Sequence, residues 1–366
     1  MVDSNKKDGR LMMLINAYWW GGFVVCLLVG LVLVLTQRWH GALTTDDTDG
    51  VQKFHVNQTP RVGGIPVVMG VAFAAWYADG AVGLLLQTAL MASLPAFVFG
   101  LAEDLTGRVG VVVRLLATMA SGVLAWWLTG VSLTDVDVWG LNQLLTITFV
   151  SVLFTAFAIA GVANAINIVD GMNGLASLTV MLCLTGLGVI AWLVGDPSLA
   201  MTVWTVAVVV LGFFVLNWPW GKLFLGDGGA YFLGFFVAWA AVLLTHRNPQ
   251  VSPFAAVLLC IHPITEVLFS VYRRRVRHAH PGLPDRLHFH SLLKRRYVAR
   301  FFSHYTLTQR NSITGFLVGS MSLWGAVWAC FVYDSAWAAL LASLVYVLLY
   351  VLLYVRMTRH KWLFWS

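Results

Sequence analysis

The chain predicts an all-α, polytopic integral membrane protein with about eleven transmembrane helices, on three observations. Of its 366 residues, 59% are hydrophobic and only 11% charged, with a mean hydropathy of +0.80, which lies outside the range of soluble domains. Apolar windows long enough to cross a hydrocarbon core of ~30 Å recur along its whole length. Basic residues fall almost entirely on one side of the membrane that these windows define.

In chain order the windows run at about Tyr18 to Thr36, Val62 to Ala78, Val82 to Ala102, Val111 to Thr129 and Leu144 to Ala163. They continue at about Leu175 to Val194, Leu199 to Leu216, Gly229 to Thr245, Phe254 to Val271, Ile313 to Tyr333 and Trp337 to Val355. The first is too long, and too weakly preceded by basic charge, for a cleaved signal peptide, so it reads as a retained helix. The second is the shortest. An odd number of spans puts the termini on opposite sides. The loops after spans one, three, five, seven and nine, with the adjoining span ends and the C-terminal tail, carry 19 of the 23 Lys and Arg residues. By the positive-inside rule this set is cytoplasmic, with the N-terminus outside and the C-terminus inside.

The net charge of +7 is therefore largely a topology signal. The clusters Arg273, Arg274, Arg275, Arg277 and Lys294, Arg295, Arg296, Arg300 would also attract anionic lipid or a phosphorylated substrate. No separate basic soluble domain exists, which argues against a nucleic-acid partner. Cys26, Cys183, Cys260 and Cys330 all fall in spans without ligand-like spacing, implying neither a disulfide framework nor a zinc site. With no repeat of fixed period and no linker, residues 1–366 form one membrane domain.

Polar residues that do not suit lipid gather in the five cytoplasmic loops, at about 37–61, 103–110, 164–174, 217–228 and 272–312. The first carries Lys53, His55, Thr59, Pro60 and Arg61; the second begins with Glu103-Asp104. In the third, Asn164, Asn167 and Asp170 recur every third residue, so a continuing helix would put them on one face, and Gly171 and Gly174 then let the chain turn. In the fourth, Asp227 stands between Gly226 and Gly228 at a glycine-rich helix start whose amides could meet phosphate. The fifth carries Asp285-Arg286-Leu287-His288-Phe289-His290, whose alternation puts both rings on one side of an extended segment.

Carboxylates at Glu103, Asp104, Asp170 and Asp227 are hard oxygen ligands of the kind Mg²⁺ accepts alongside substrate phosphates. An adjacent acidic pair such as Glu103-Asp104 is otherwise the solvated edge of a helix. His288 and His290 could bind zinc, move protons or donate to phosphate oxygens, zinc being the weakest reading for two His alone. Within the ninth window, Glu266 of His262-Pro263-Ile264-Thr265-Glu266 must face the protein interior. It is either a site residue or half of an internal ion pair with an Arg.

Together Thr59-Pro60-Arg61-Val62-Gly63-Gly64, Glu103-Asp104, Asn164 to Gly171, Asn217 with Phe224-Leu225-Gly226-Asp227, and His288-Phe289-His290 resemble, in order and sidedness, the motifs of the polyprenyl-phosphate N-acetylhexosamine-1-phosphate transferase family. The resemblance runs from about Thr59 to Leu293. It implies transfer of a sugar 1-phosphate from a UDP-sugar to undecaprenyl phosphate with release of UMP, at a cytoplasmic cleft holding Mg²⁺, with Mn²⁺ as a substitute. It implies catalytic roles for Glu103, Asp104, Asp170, Asp227, His288 and His290, with Asp227 on the metal. Thr59, Arg61, Asn164, Asn167, Asn173, Asn217, Phe224 and Arg286 would contact substrate, Phe224 by stacking on uracil. The chain departs from the family pattern at Glu103, usually Asp, at Asn173, often Asp, and at Ser291, commonly His.

The partners so implied are UDP-sugar, undecaprenyl phosphate and the bilayer of a bacterial inner membrane; a homodimer is compatible with the sequence. Peptidoglycan synthesis by a phospho-MurNAc-pentapeptide transferase is the alternative within this chemistry. A transporter of an anionic metabolite would also have many spans, but it would show internal repeats and polar breaks at the midplane. The departures at Glu103 and Asn173 would also suit a scaffold that keeps the fold without turnover.

Overall fold

The computed structural model describes residues 2–45, 59–276 and 287–359. Among these residues the chain is helical, apart from turns and an isolated bridge between Thr45 and Pro60. In order the helices are α1 (Val2–Leu35), α2 (Gln37–Thr44), α3 (Gly64–Tyr77), α4 (Gly80–Thr106), α5 (Val111–Thr129), α6 (Leu141–Leu145), α7 (Thr148–Val169), α8 (Leu175–Leu193) and α9 (Pro197–Asn217). Then come α10 (Gly226–Arg247), α11 (Pro253–Leu259), α12 (Ile261–Val276), α13 (Phe289–Leu293), a π-helical turn (Lys294–Val298), α14 (Ala299–Phe301), α15 (Leu307–Gly319), α16 (Ser322–Val332) and α17 (Ala336–Arg359).

Local chemistry sets the ends of these helices. α4 stops where Gly107 enters the left-handed region at φ 62° and returns its N–H to the Glu103 carbonyl, the usual role of a glycine after a helix. α9 starts on Asp196, whose carboxylate accepts the Leu199 N–H ahead of Pro197 at the first turn. Thr306 and Gln309 close a capping box on α15.

α10 is the axis of the bundle: 89% of its apolar window is buried, and α3, α4, α5, α7 and α8 pack around it. Between apolar helices in lipid, packing rather than water exclusion drives association, so small residues at the contacts matter. Gly100 of α4 shows this, since a Cβ there would lie 2.7 Å from Gly228 Cα. The loop that begins with Glu103 and the one that carries Asp227 are thereby brought backbone to backbone.

The eleven windows each fall on helix, with two departures from the expected spans. Nine helices among the described residues are long and apolar enough to cross a membrane, the tenth candidate being α11 with α12, bent by 79°. The break has a chemical cause. Pro263 has no N–H to return to Leu259, and the freed Leu259 carbonyl accepts instead from Cys183 Sγ at 3.1 Å. α3, with 14 residues, is roughly 21 Å long and falls short of a ~30 Å core.

Candidate functional site

The helix start at Gly226 organises the site. Gly226 has φ +72°, and a Cβ there would meet the Arg61 carbonyl and the Asp104 carboxylate. This turn aims the first amides of α10 at the end of α4. Asp104 Oδ1 accepts the Asp227 N–H and Oδ2 the Gly228 N–H, both at 2.8 Å. Such bonds are charge-assisted and lie at the positive end of the helix dipole. These are the amides that the sequence offered to phosphate; Asp104 holds them instead.

Asp227 projects from the same turn into a cationic setting. Its Oδ1 accepts from Asn167 Nδ2 at 2.9 Å and lies 3.7 Å from Arg61 Nη2, which is also 3.5 Å from Asp104 Oδ1. Its Oδ2 is in ion-pair contact with Nη1 of Arg114. Arg114 is held in turn over the Tyr231 ring, 5.9 Å from its centroid, and Tyr231 donates to Asn164 Oδ1 at 3.3 Å. The sequence reading missed Arg114. The signal available was an arginine one turn into a helix just after the acidic motif, which charge counting absorbed into topology.

α7 ends at Val169, so Asn164 and Asn167 share a helix while Asp170 caps its end. The expected continuous helical face stops one residue short. Burial pushes the Asp170 carboxyl up to about 7 against the opposing attraction of Arg61. The His290 ring lies against Gly171, its Nε2 2.6 Å from where a Cβ would be, so the histidine and asparagine motifs meet there. The His288 and His290 rings are parallel, 5.4 Å apart at 5°. Burial, followed by the neighbouring His288, lowers His290 to about 3, leaving it a neutral imidazole at pH 7. His288 Nδ1 sits 2.9 Å from Glu266 Oε1, so the buried acid pairs with a histidine rather than an arginine.

Other expected site residues hold loops. Asn173 is buried and donates to Ser312 Oγ at 3.1 Å. Asn217 accepts the Gly174 N–H at 2.5 Å and donates to the Leu223 carbonyl at 2.8 Å. Asn217 points into backbone, because a buried polar loop must satisfy its own groups, whereas Asn173 binds a side-chain hydroxyl and its buried Oδ1 accepts no hydrogen bond. Thr59 is likewise buried, 3.4 Å from the Gly221 carbonyl. Glu103 Oε2 accepts the Val109 N–H at 2.6 Å and so closes the α4–α5 turn. Phe224 stays partly exposed on a loop pinned to Pro60 and Gly63. Arg286, with Lys53, His55 and Asp285, lies outside the described residues.

The fit to Mg²⁺ rests on the donor set. Asp227 Oδ2 is buried and already draws a cation, the Arg114 guanidinium. Among the described residues no group of three or more His, Cys, Asp or Glu could enclose a metal. Mg²⁺ commonly binds through one or two carboxylates completed by water and substrate phosphates rather than in an all-protein cage. Asp227 with the Asn167 carboxamide fits that pattern.

The chain matches the family model described as Glycosyl transferase family 4 over residues 86–245. It is similar to the undecaprenyl-phosphate alpha-N-acetylglucosaminyl 1-phosphate transferase of Escherichia coli O157:H7, at 28% identity over 257 residues, covering 68% of this chain and 69% of the relative. The protein of the same name from Salmonella typhi is 29% identical over 256 residues, with the same coverage. The probable undecaprenyl-phosphate N-acetylglucosaminyl 1-phosphate transferase of Bacillus subtilis (strain 168) is 26% identical over 339 residues, covering 89% of this chain and 90% of the relative.

Proposed function

We propose that the chain, which matches the Glycosyl transferase family 4 model and is similar to undecaprenyl-phosphate N-acetylglucosaminyl 1-phosphate transferases, is a polyprenyl-phosphate N-acetylhexosamine-1-phosphate transferase: it transfers an N-acetylhexosamine 1-phosphate from a UDP-sugar to undecaprenyl phosphate, releasing UMP, as the first membrane step of cell-surface polysaccharide synthesis. The observation that carries this reading is Asp227, held by Asn167 between Arg61 and Arg114. Two anionic substrates must meet, and the obstacle is their repulsion. An alkyl phosphate has a second pKa near ~6, so the acceptor is largely dianionic at pH 7 and needs no strong general base.

The acceptor phosphate oxygen attacks the β-phosphorus of the UDP-sugar, and the bond from that phosphorus to the bridging oxygen breaks, leaving UMP. Arg61 and Arg114 offset the charge of the approaching phosphates and of the leaving group. Mg²⁺, held by Asp227 with Asn167, would supply further neutralisation of the phosphate oxygens. Asp104 contributes by fixing the turn that carries Asp227. Phe224 offers its partly exposed ring for uracil, and His288 with His290 faces the donor phosphates or sugar.

The charge asymmetry of the loops supports a cytoplasmic site in a bacterial inner membrane, with the N-terminus outside. The test is UMP release from UDP-N-acetylglucosamine by purified protein, dependent on undecaprenyl phosphate and on Mg²⁺.

A further inference from the structure

Tyr346, Tyr350 and Tyr354 recur every fourth residue of α17 and therefore share one face of that helix. All three are buried. Each reaches a polar group on another element. The Tyr346 hydroxyl lies 2.8 Å from His262 Nδ1, Tyr350 donates to Glu266 Oε2 at 2.7 Å, and Tyr354 donates to the Leu287 carbonyl at 3.0 Å. The ladder thus ties the last helix to the lower arm of the broken span and to the start of the histidine segment.

Glu266 is the centre of this arrangement and is 1% exposed. Its Oε1 accepts the Phe289 N–H at 3.1 Å and lies 2.9 Å from His288 Nδ1. A backbone amide can only donate, so Oε1 is an acceptor, and the imidazole proton on that side belongs to Nδ1. Three donors therefore surround the carboxylate, which is what a charge inside an apolar bundle requires. None of these contacts stabilises the Asp227 cluster directly. What they fix is the plane and tautomer of His288, whose ring lies parallel to His290, which in turn abuts Gly171 beside Asp170.

We propose that Glu266 is a positioning residue for His288, with Tyr350 steadying the carboxylate, so that the opposite nitrogen of the imidazole, Nε2, is presented in one fixed orientation to the donor phosphates. The inference rests on the transferase reading above. It assigns work to the acid that the sequence marked as out of place in a span, and to a C-terminal helix lying beyond residues 86–245 of the family match.

The experiment uses the purified full chain with Glu266→Gln, Glu266→Asp, Tyr350→Phe, His288→Gln and the double variant Glu266→Gln/His288→Gln. Gln keeps the shape and can still accept from His288 and Phe289, so Glu266→Gln should remain folded with its unfolding midpoint little changed. Its kcat should fall by roughly 10- to 100-fold, the range seen when the orienting partner of a histidine is removed, while the KM for UDP-N-acetylglucosamine stays within about threefold. Glu266→Asp should recover part of that loss, and Tyr350→Phe should lose less than Glu266→Gln. Added to His288→Gln, the Glu266→Gln change should cost less than about threefold, because residues that act as a unit are not additive. The ¹⁵N signal of an Nδ1-protonated His288 should be present in wild type and shifted in Glu266→Gln, where a neutral amide replaces the carboxylate.

Full kcat in Glu266→Gln would overturn the inference. So would an equal cost of that change with and without His288, which would make Glu266 a purely structural residue. If Glu266→Gln does not fold, Tyr350→Phe and Glu266→Asp carry the same comparison against His288→Gln. Wild-type protein that releases no UMP would instead overturn the transferase reading itself.

Discussion

Replacing Asp104 by Asn keeps the volume of the side chain but turns one of its two acceptor oxygens into a donor. One of the α10 amides, now bonded at 2.8 Å, would keep its partner, and the other would face an NH₂ group. An unmade buried N–H costs ~1–3 kcal/mol, and losing a negative charge at a helix N-terminus adds roughly 0.3–1 kcal/mol. Asp104→Asn should therefore destabilise the protein by ~1.3–4 kcal/mol. Because Asp227 rides on the same turn, a shift of ~1 Å there would cost as much as ~100-fold in turnover. The assays are thermal unfolding in detergent without added Mg²⁺, and UMP release at saturating substrates. Glu103→Gln is the comparison: it keeps an acceptor for the Val109 N–H and should unfold close to wild type. An Asp104→Asn protein with unchanged unfolding and full turnover would refute the idea that this carboxylate builds the helix start.

Phe224→Ala should raise the KM for UDP-sugar by the ~1–3 kcal/mol typical of base–aromatic stacking; an unchanged KM would put uracil elsewhere. Asp170, raised to about 7 from an ordinary 3.8, binds more protons folded than unfolded between those values. Stability of the metal-free protein should thus fall as pH rises from about 4 to about 7 and flatten above, and Asp170→Asn should remove that part of the slope in unfolding midpoints measured against pH. Cysteines placed at Asp135 and at Lys222, both exposed, should respond oppositely to an impermeant thiol reagent added to intact cells, with only position 135 labelled. Labelling at 222 alone would invert the topology.

Hydropathy made the helices legible because each apolar window long enough to span had little alternative but to be one. The break at Cys260 was less visible, since it depends on what takes up the Leu259 carbonyl once Pro263 withholds its N–H. Asp227, Arg61 and Asn167 were legible as a cluster because charge and amide at apolar helix ends have few other uses, and the structure brings their side chains together. Asn173 and Asn217 were less legible. A polar side chain in a tight loop serves backbone as readily as ligand, and only its partners, Ser312 and the Gly174 and Leu223 backbone, distinguish the two. Arg114 escaped for the opposite reason: a single basic residue near a helix end is ordinary until its contact with Asp227 is seen.

The most direct test of the account is UMP release by wild type and by Asp227→Asn, each confirmed as folded by an unfolding midpoint. The wild-type protein should release UMP only when undecaprenyl phosphate and Mg²⁺ are both present, and Asp227→Asn should release none under the same conditions. Near-wild-type turnover by Asp227→Asn at limiting Mg²⁺ would contradict the assignment of Asp227 as the residue around which the site is built.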